Sequence, residues 1–236
     1  MPANAPSVKP ISKEGRARVD AALEKLGLLL VQGQWEIPSL ADLLQGAPVK
    51  TRGFSYDYMP AWNLREELLT RDDIALCKLF RGKSTLVHKR HWPLVDGIAR
   101  LAQRGVEASR CKQDRYVMYE VIKARPGITG EKLKHKMELA GKPGSAAFQR
   151  AKADLESWLC IVGVESTDKP ADESHTHDQA WHVWGASKIA KAVNGSAPEL
   201  TLLEAADGLM RMTYPDGLPA ELAPMKKLYP ALSLLS

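Results

Sequence analysis

The sequence predicts a mainly α fold with small β-hairpins, of the α+β class, and three observations predict it. Apolar residues recur with a helical period in several segments. Short β-branched runs face each other across polar or glycine-containing connections. The order of three helices followed by a hairpin occurs twice, over residues 16 to 90 and again from Asp114 to Ser187. That order is the plan of a winged helix, so tandem winged-helix units are expected. The repetition is one of element order, without a clear residue-by-residue repeat. The expected organisation is a disordered arm over 1–15 and a first winged-helix-like unit with a connecting helix over 16–110. A second winged helix over 111–187 and a C-terminal helical extension over 188–236 follow.

Met1 to Pro10 carries several prolines and no apolar run, hence the arm and no secretory signal. Arg16 to Val31 reads as a long helix, with Ala17, Ala21, Leu23, Leu26 and Leu30 near a 3.6-residue period and Gly27 interrupting it. Leu28 to Val31 is apolar on every side, so the end of this helix is expected to be buried. Ile37-Pro38-Ser39 opens a short helix over Leu40 to Leu44, closed by Gln45-Gly46-Ala47-Pro48. An aromatic-rich loop from Phe54 to Pro60 leads to a third helix, Ala61 to Thr70. Ile74 to Phe80 and Ser84 to His88 are strands joined by a tight turn at Arg81-Gly82-Lys83. Trp92 to Gln103 is a connecting helix ending near Gly105.

The second unit repeats the plan. Tyr116 to Lys123 is its first helix, stopped by Arg125-Pro126-Gly127. Thr129 caps a second helix, Gly130 to Leu139. Ser145 caps a third, whose Phe148, Ala151 and Leu155 share one face. Cys160 to Ser166 and Trp181 to Trp184 are the strands of the hairpin, with a polar stretch between them. After Ser187 come a short helix to Val193, a linker at Asn194 to Pro198, a helix from Leu200 to Met212 and an apolar tail from Met225 to Leu235.

The chain has 236 residues and is 44% hydrophobic, enough for one large core or two small ones. No run of about 18 apolar residues exists, so no membrane span is expected. Cys77, Cys111 and Cys160 lie far apart, which argues for a reducing cytoplasm and against disulfides or a zinc module. His175, His177 and His182 invite a metal reading, but no cysteine stands at ligand spacing, and a polar wing is the expectation. No cofactor is expected. There is no glycine-rich phosphate loop, no Gly-x-Ser-x-Gly and no His-Glu-x-x-His, so nucleotide hydrolase, esterase and zincin chemistry are excluded.

The net charge is +5, and its distribution is more telling than its size. Lys78, Arg81, Lys83, Lys89 and Arg90 crowd one segment beside His88 and His91, and further lysines and arginines run through the helical part of the second unit. Clustered cations beside a helix-turn-helix are the footprint of a phosphate binder. The partner expected is double-stranded DNA. On the third helix of the second unit, Gln149, Lys152, Ala153 and Glu156 lie opposite the apolar face, with Arg150 at its margin. This is the helix that enters the major groove in helix-turn-helix proteins. The expected DNA contacts are Arg81, Lys83, His88, Lys89, Arg90, Lys142, Ser145, Gln149, Arg150 and Lys152. The alternatives are solvated helix faces, or a winged helix that binds protein.

Two groups of residues resemble a known family. One runs from Leu29-Leu30-Val31-Gln32-Gly33-Gln34 to the hairpin Leu79-Phe80-Arg81-Gly82-Lys83-Ser84-Thr85-Leu86-Val87-His88 and Trp92-Pro93-Leu94-Val95. The other runs from Ile128-Thr129-Gly130-Glu131-Lys132-Leu133 through Phe148-Gln149-Arg150-Ala151-Lys152-Ala153-Asp154-Leu155 to Ile161-Val162. Together they resemble the winged-helix DNA glycosylases of the AlkZ type, over roughly residues 16 to 186. The resemblance implies tandem winged helices, a hairpin that presses on DNA, and excision of bulky alkylated or crosslinked purines. It also implies that a glutamine pair separated by one aliphatic residue carries catalysis, and Gln32 and Gln34 match those positions. Gly33 departs from the aliphatic middle residue. Two amides can orient a water towards a sugar that develops oxocarbenium character, provided the leaving base is already cationic. The alternative for the pair is the polar end of a helix. The alternative function is a non-catalytic DNA-binding regulator or accessory factor.

Overall fold

The computed structural model describes residues 10–33, 37–49, 59–137, 142–165, 179–214 and 225–234. It is mainly helical with two small antiparallel sheets, and it divides into two units. The first comprises the described residues of Met1–Cys77, Lys83–Trp92 and Asp207–Leu222; the second takes Lys78–Gly82, Pro93–Ala206 and Ala223–Ser236. Among the described residues no helix is long and apolar enough to cross a membrane.

The first unit opens with helix α1, Lys13–Leu26. Ser12 caps it, its Oγ accepting from the Gly15 amide at 3.0 Å. The helix ends five residues before the expected Val31. Gly27 adopts the left-handed conformation, φ 71°, and its amide donates to the Leu23 carbonyl. Leu28–Leu30 is then strand β1, with all three leucines fully buried. One helix face cannot bury three successive leucines, whereas a strand covered on both faces can. Helix α2 spans Leu40–Gln45, between the Ser39 cap and a left-handed Gly46. Helix α3, Met59–Leu69, buries Ala61, Leu64 and Leu68. Strands β2, Ile74–Cys77, and β3, Thr85–His88, complete a sheet of order β1-β3-β2. Val19, Leu23, Leu29, Leu64, Ile74 and Leu86 belong to a common core cluster. The Phe54 to Pro60 loop lies largely outside the described residues, and its last two expected members, Met59 and Pro60, begin α3.

Helix α4, Trp92–Glu107, leads into the second unit, where Val95, Ile98, Ala99, Ala102 and Val106 are fully buried. Gly105 lies inside this helix and does not end it. A Cβ there would stand 2.8 Å from the Leu234 carbonyl oxygen, so glycine serves close approach. Helix α5 is Gln113–Ala124, strand β4 is Ile128–Thr129, and helix α6 is Gly130–Lys136, capped by Thr129 as expected. Helix α7, Lys142–Ser157, begins three residues before the expected cap, which puts Ser145 in its first turn. Strands β5, Ile161–Glu165, and β6, Gln179–Val183, pair antiparallel, with Ile161 opposite Val183, in a sheet of order β4-β6-β5. Helix α8, Lys188–Val193, follows with Ser187 as its cap, then α9, Leu202–Thr213, and α10, Met225–Leu228. Each unit therefore runs helix, strand, helix, helix, strand, strand, with the first strand of its sheet beside the third.

Candidate nucleic-acid interface

Helix α7 is amphipathic in a way that exposes a free face. Phe148, Ala151 and Leu155 recur every three or four residues and are at most 3% exposed. Ala146, Gln149, Arg150 and Ala153 are exposed on the other side. The orientation of the helix is held from behind. Arg115 on α5 bonds Asp154 through Nη2 at 2.6 Å and through Nε at 2.9 Å, and pairs with Asp114 as well. Gln149 and Arg150 carry no side-chain hydrogen bond or ion pair among the described residues. They are free donors on a solvent-facing helix surface.

Lys152 and Glu156, expected on that face, are drawn away from it. The Lys152 ammonium lies 4.9 Å from the centre of the Trp181 ring. Burial there pulls its pKa below the usual lysine range, and the Glu156 carboxylate opposes the shift. Glu156 in turn pairs with Lys78 at 2.8 Å. The contact surface of α7 is thus narrower than the helical wheel implies. Ahead of α7, Lys132 and Lys136 on α6 are exposed. The side chains of Lys142 and Ser145 lie outside the described residues.

The hairpin of the first unit is longer at its tip than the tight turn expected, since β2 ends at Cys77 and β3 begins at Thr85. Lys78–Gly82 belongs to the second unit. Phe80 is fully buried and meets Tyr229 edge-on, ring centres 5.5 Å apart. The Arg81 amide donates to the Leu228 carbonyl at 2.6 Å. The Arg81 guanidinium is half-buried over the Phe80 ring. Within the second unit Phe80 and Arg81 are packing residues, and Lys83, which follows them in the chain, is exposed.

The basic stretch after β3 caps a helix. Four carbonyls at a helix C-terminus lack intrahelical partners. In α1 all four are satisfied: Leu23 by the Gly27 amide, Glu24 by Arg90 Nη1 at 2.6 Å, Lys25 by Arg90 Nη2 at 2.9 Å, and Leu26 by His91 Nε2–H at 2.9 Å. A guanidinium also suits the negative end of the helix dipole. Burial pulls the His91 pKa below the usual histidine range, against the Leu26 hydrogen bond, so the ring is neutral near pH 7. His88 is similarly engaged: its Nδ1 accepts from the Arg90 amide at 3.3 Å, and its Nε2 faces Asp73 at 3.3 Å. The Arg71 hydrogen bonds hold the Asp73 carboxyl at a pKa of about 2, so it stays anionic. Lys89 remains exposed. None of these capping roles was visible in the sequence. The one signal was a Gly27 at which a helix could stop, and its partners lie more than sixty residues away.

Gln32 does not end a helix. It is exposed in the segment that leaves β1, just after Val31, which is 1% exposed and whose amide donates to the Ser84 carbonyl at 3.0 Å. Gly33 has φ 111°, a region that side-chain-bearing residues rarely enter. An aliphatic residue would be strained there with this backbone. Gln34 lies outside the described residues. His175 and His177 do too, and among the described residues no group of His, Cys, Asp or Glu could hold a metal ion.

The family model described as AlkZ related matches residues 16–212. No curated protein and no solved structure matches the chain.

Proposed function

Since the chain belongs to the AlkZ-related family, we propose that it binds double-stranded DNA through two winged helices, with α7 entering the major groove. The single observation that carries this reading is the shared plan of the two units, helix–strand–helix–helix–hairpin, in which α7 holds the recognition position and leaves Gln149 and Arg150 unpaired. Gln149 suits an adenine edge, and Arg150 a guanine edge or a phosphate. Within the second unit Lys132, Lys136 and Lys142 add backbone contacts, and Lys83 and Lys89 supply them from the first unit. Arg81, His88, Arg90 and Lys152 have side chains engaged within the fold.

Fluorescence anisotropy of labelled duplex across a salt series tests the proposal. Affinity should fall steeply with salt. Arg150→Ala should reduce the logarithmic slope by about one if the contact is to phosphate, or relax base preference at one position if it is to a base. Affinity independent of salt would remove the DNA-binding reading.

We extend the proposal to excision of cationic N-alkylpurines, with Gln32 and Gln34 as the catalytic residues. Alkylation at the purine nitrogen makes the base a good leaving group. Water adds to the anomeric carbon as the N-glycosidic bond breaks, one water proton is lost to solvent, and the electron pair leaves with the neutral base. Amides can orient that water and stabilise the sugar cation without acting as strong bases. The exposure of Gln32 and the glycine-shaped turn beside it support this assignment. Duplex carrying N7-alkylguanine should release free base, and a Gln32→Ala, Gln34→Ala double variant should slow release by about 100-fold. Equal release by that variant would refute the mechanism. Duplex binding without any release by the unaltered protein would favour the non-catalytic regulator or accessory factor.

A further inference from the structure

A second polar site lies in the second unit, on elements that take no part in the α7 face. A cavity of about 440 Å³ is lined by Asp96, Arg100 and Gln103 of α4, by Gly185 in the turn after β6, and by Lys191 and Asn194 at the end of α8. Asp96 is 3% exposed, and both its oxygens are occupied: Oδ1 accepts from the Trp184 indole at 3.0 Å, and Oδ2 faces Arg100 Nε at 3.3 Å. Arg100 Nη2 donates to the Ala197 carbonyl. The guanidinium is thus held by one hydrogen bond and one ion pair, with no hydrogen bond at Nε, and Nη1 has no partner among the described residues. Lys191 is exposed and equally without one.

This arrangement has the chemistry of an oxyanion receptor. The Asp96 charge is consumed by the indole and the guanidinium that it fixes, which leaves one net positive charge at the cavity. A guanidinium edge held in place loses little rotamer freedom when a ligand arrives. Gln103 and Asn194 also line the cavity and carry amide donors. A planar carboxylate presents acceptors in one plane only, whereas a phosphate group presents oxygens tetrahedrally and can meet donors from α4 and from the end of α8 together. Gly185 lines the cavity at a point where a Cβ would stand in open space, with no atom within 4 Å. We propose that this cavity binds a phosphate group, with Arg100 and Lys191 as its cationic ligands. The group is either a phosphodiester of nucleic-acid backbone or a small phosphate monoester.

Inorganic phosphate titrated into the full chain, followed by amide NMR and calorimetry against chloride at equal ionic strength, tests the site. Saturable shifts are expected at Gly185, Lys191, Asn194 and the Trp184 indole. Lys191→Gln should weaken binding about ten-fold, as expected for losing one charge-assisted hydrogen bond. Gly185→Leu adds bulk at a lining position and should weaken binding, and an unchanged melting profile would show that the fold is intact. Shifts that chloride reproduces, or phosphate binding unchanged in both variants, would overturn the proposal. The source of the phosphate is read separately. If Lys191→Gln also lowers the salt slope of duplex binding by about one, the ligand is nucleic-acid backbone. An unchanged slope assigns the cavity to a small phosphate monoester. Failure of all duplex binding would remove the DNA-binding proposal and leave the phosphate titration readable on its own.

Discussion

Replacing Asp96 by alanine is expected to destabilise the second unit by about 3 kcal/mol, as when one partner of a buried ion pair is removed. The physical origin is the pair of groups left behind. Trp184 is 2% exposed, and its indole N–H would lose its acceptor at 3.0 Å. Arg100 would lose the carboxylate 3.3 Å from its Nε. The Arg100 side chain is 33% exposed, so water recovers part of its solvation, which places the cost at the lower end of the range for such pairs. Asp96→Asn keeps an acceptor for the indole and should cost about 1 kcal/mol. Trp184→Phe removes the stranded donor, so the combination with Asp96→Ala should cost less than the sum of the two. Urea denaturation followed by tryptophan fluorescence measures all four proteins. A loss in Asp96→Ala no larger than in Asp96→Asn would mean that the indole hydrogen bond contributes nothing.

Gly27→Ala should cost the first unit about 3 kcal/mol, from two sources. An alanine held at φ 71° costs about 1–2 kcal/mol in the left-handed region. The new Cβ would also stand 2.5 Å from Arg90 Nε and 2.5 Å from His91 Nε2. Both side chains must then move, and the carbonyls of Glu24, Lys25 and Leu26 lose their donors at about 1 kcal/mol each, less what water restores. A cycle with Arg90→Ala separates the two sources. In that background Gly27→Ala should cost less, approaching the backbone cost together with the His91 contact. An equal cost in both backgrounds would show that the Arg90 clash is absorbed freely.

The positions that the sequence revealed and those that it concealed divide by the range of the force that sets them. The family resemblance, drawn from short runs around β1, β3 and α7, agrees with the family to which the chain belongs. The caps at Ser39 and Thr129 were open to sequence reading because an N-cap hydrogen bond reaches only three residues ahead. Helix α8 was expected over the residues it occupies. Strand β1 was mistaken for helix because the choice rests with β3, against which Leu28 pairs with Val87 and Leu30 with Thr85.

The candidate interface divides in the same way. Period alone placed Gln149, Arg150 and Lys152 on the polar side of one helix, since their spacing is a local property. Which of them stays free was decided by what surrounds the helix. The Trp181 ring takes Lys152, Lys78 takes Glu156, and Arg150 has no such neighbour. The sequence by itself determined the order of three helices and a hairpin in each unit, the amphipathic face of α7, the cationic character of the chain and the family. Tertiary structure alone decided that Arg90 and His91 cap α1, that Phe80 meets Tyr229, and that Asp96, Trp184 and Arg100 meet. Those contacts join residues tens of positions apart, where pairing and burial act and no local periodicity remains to report them.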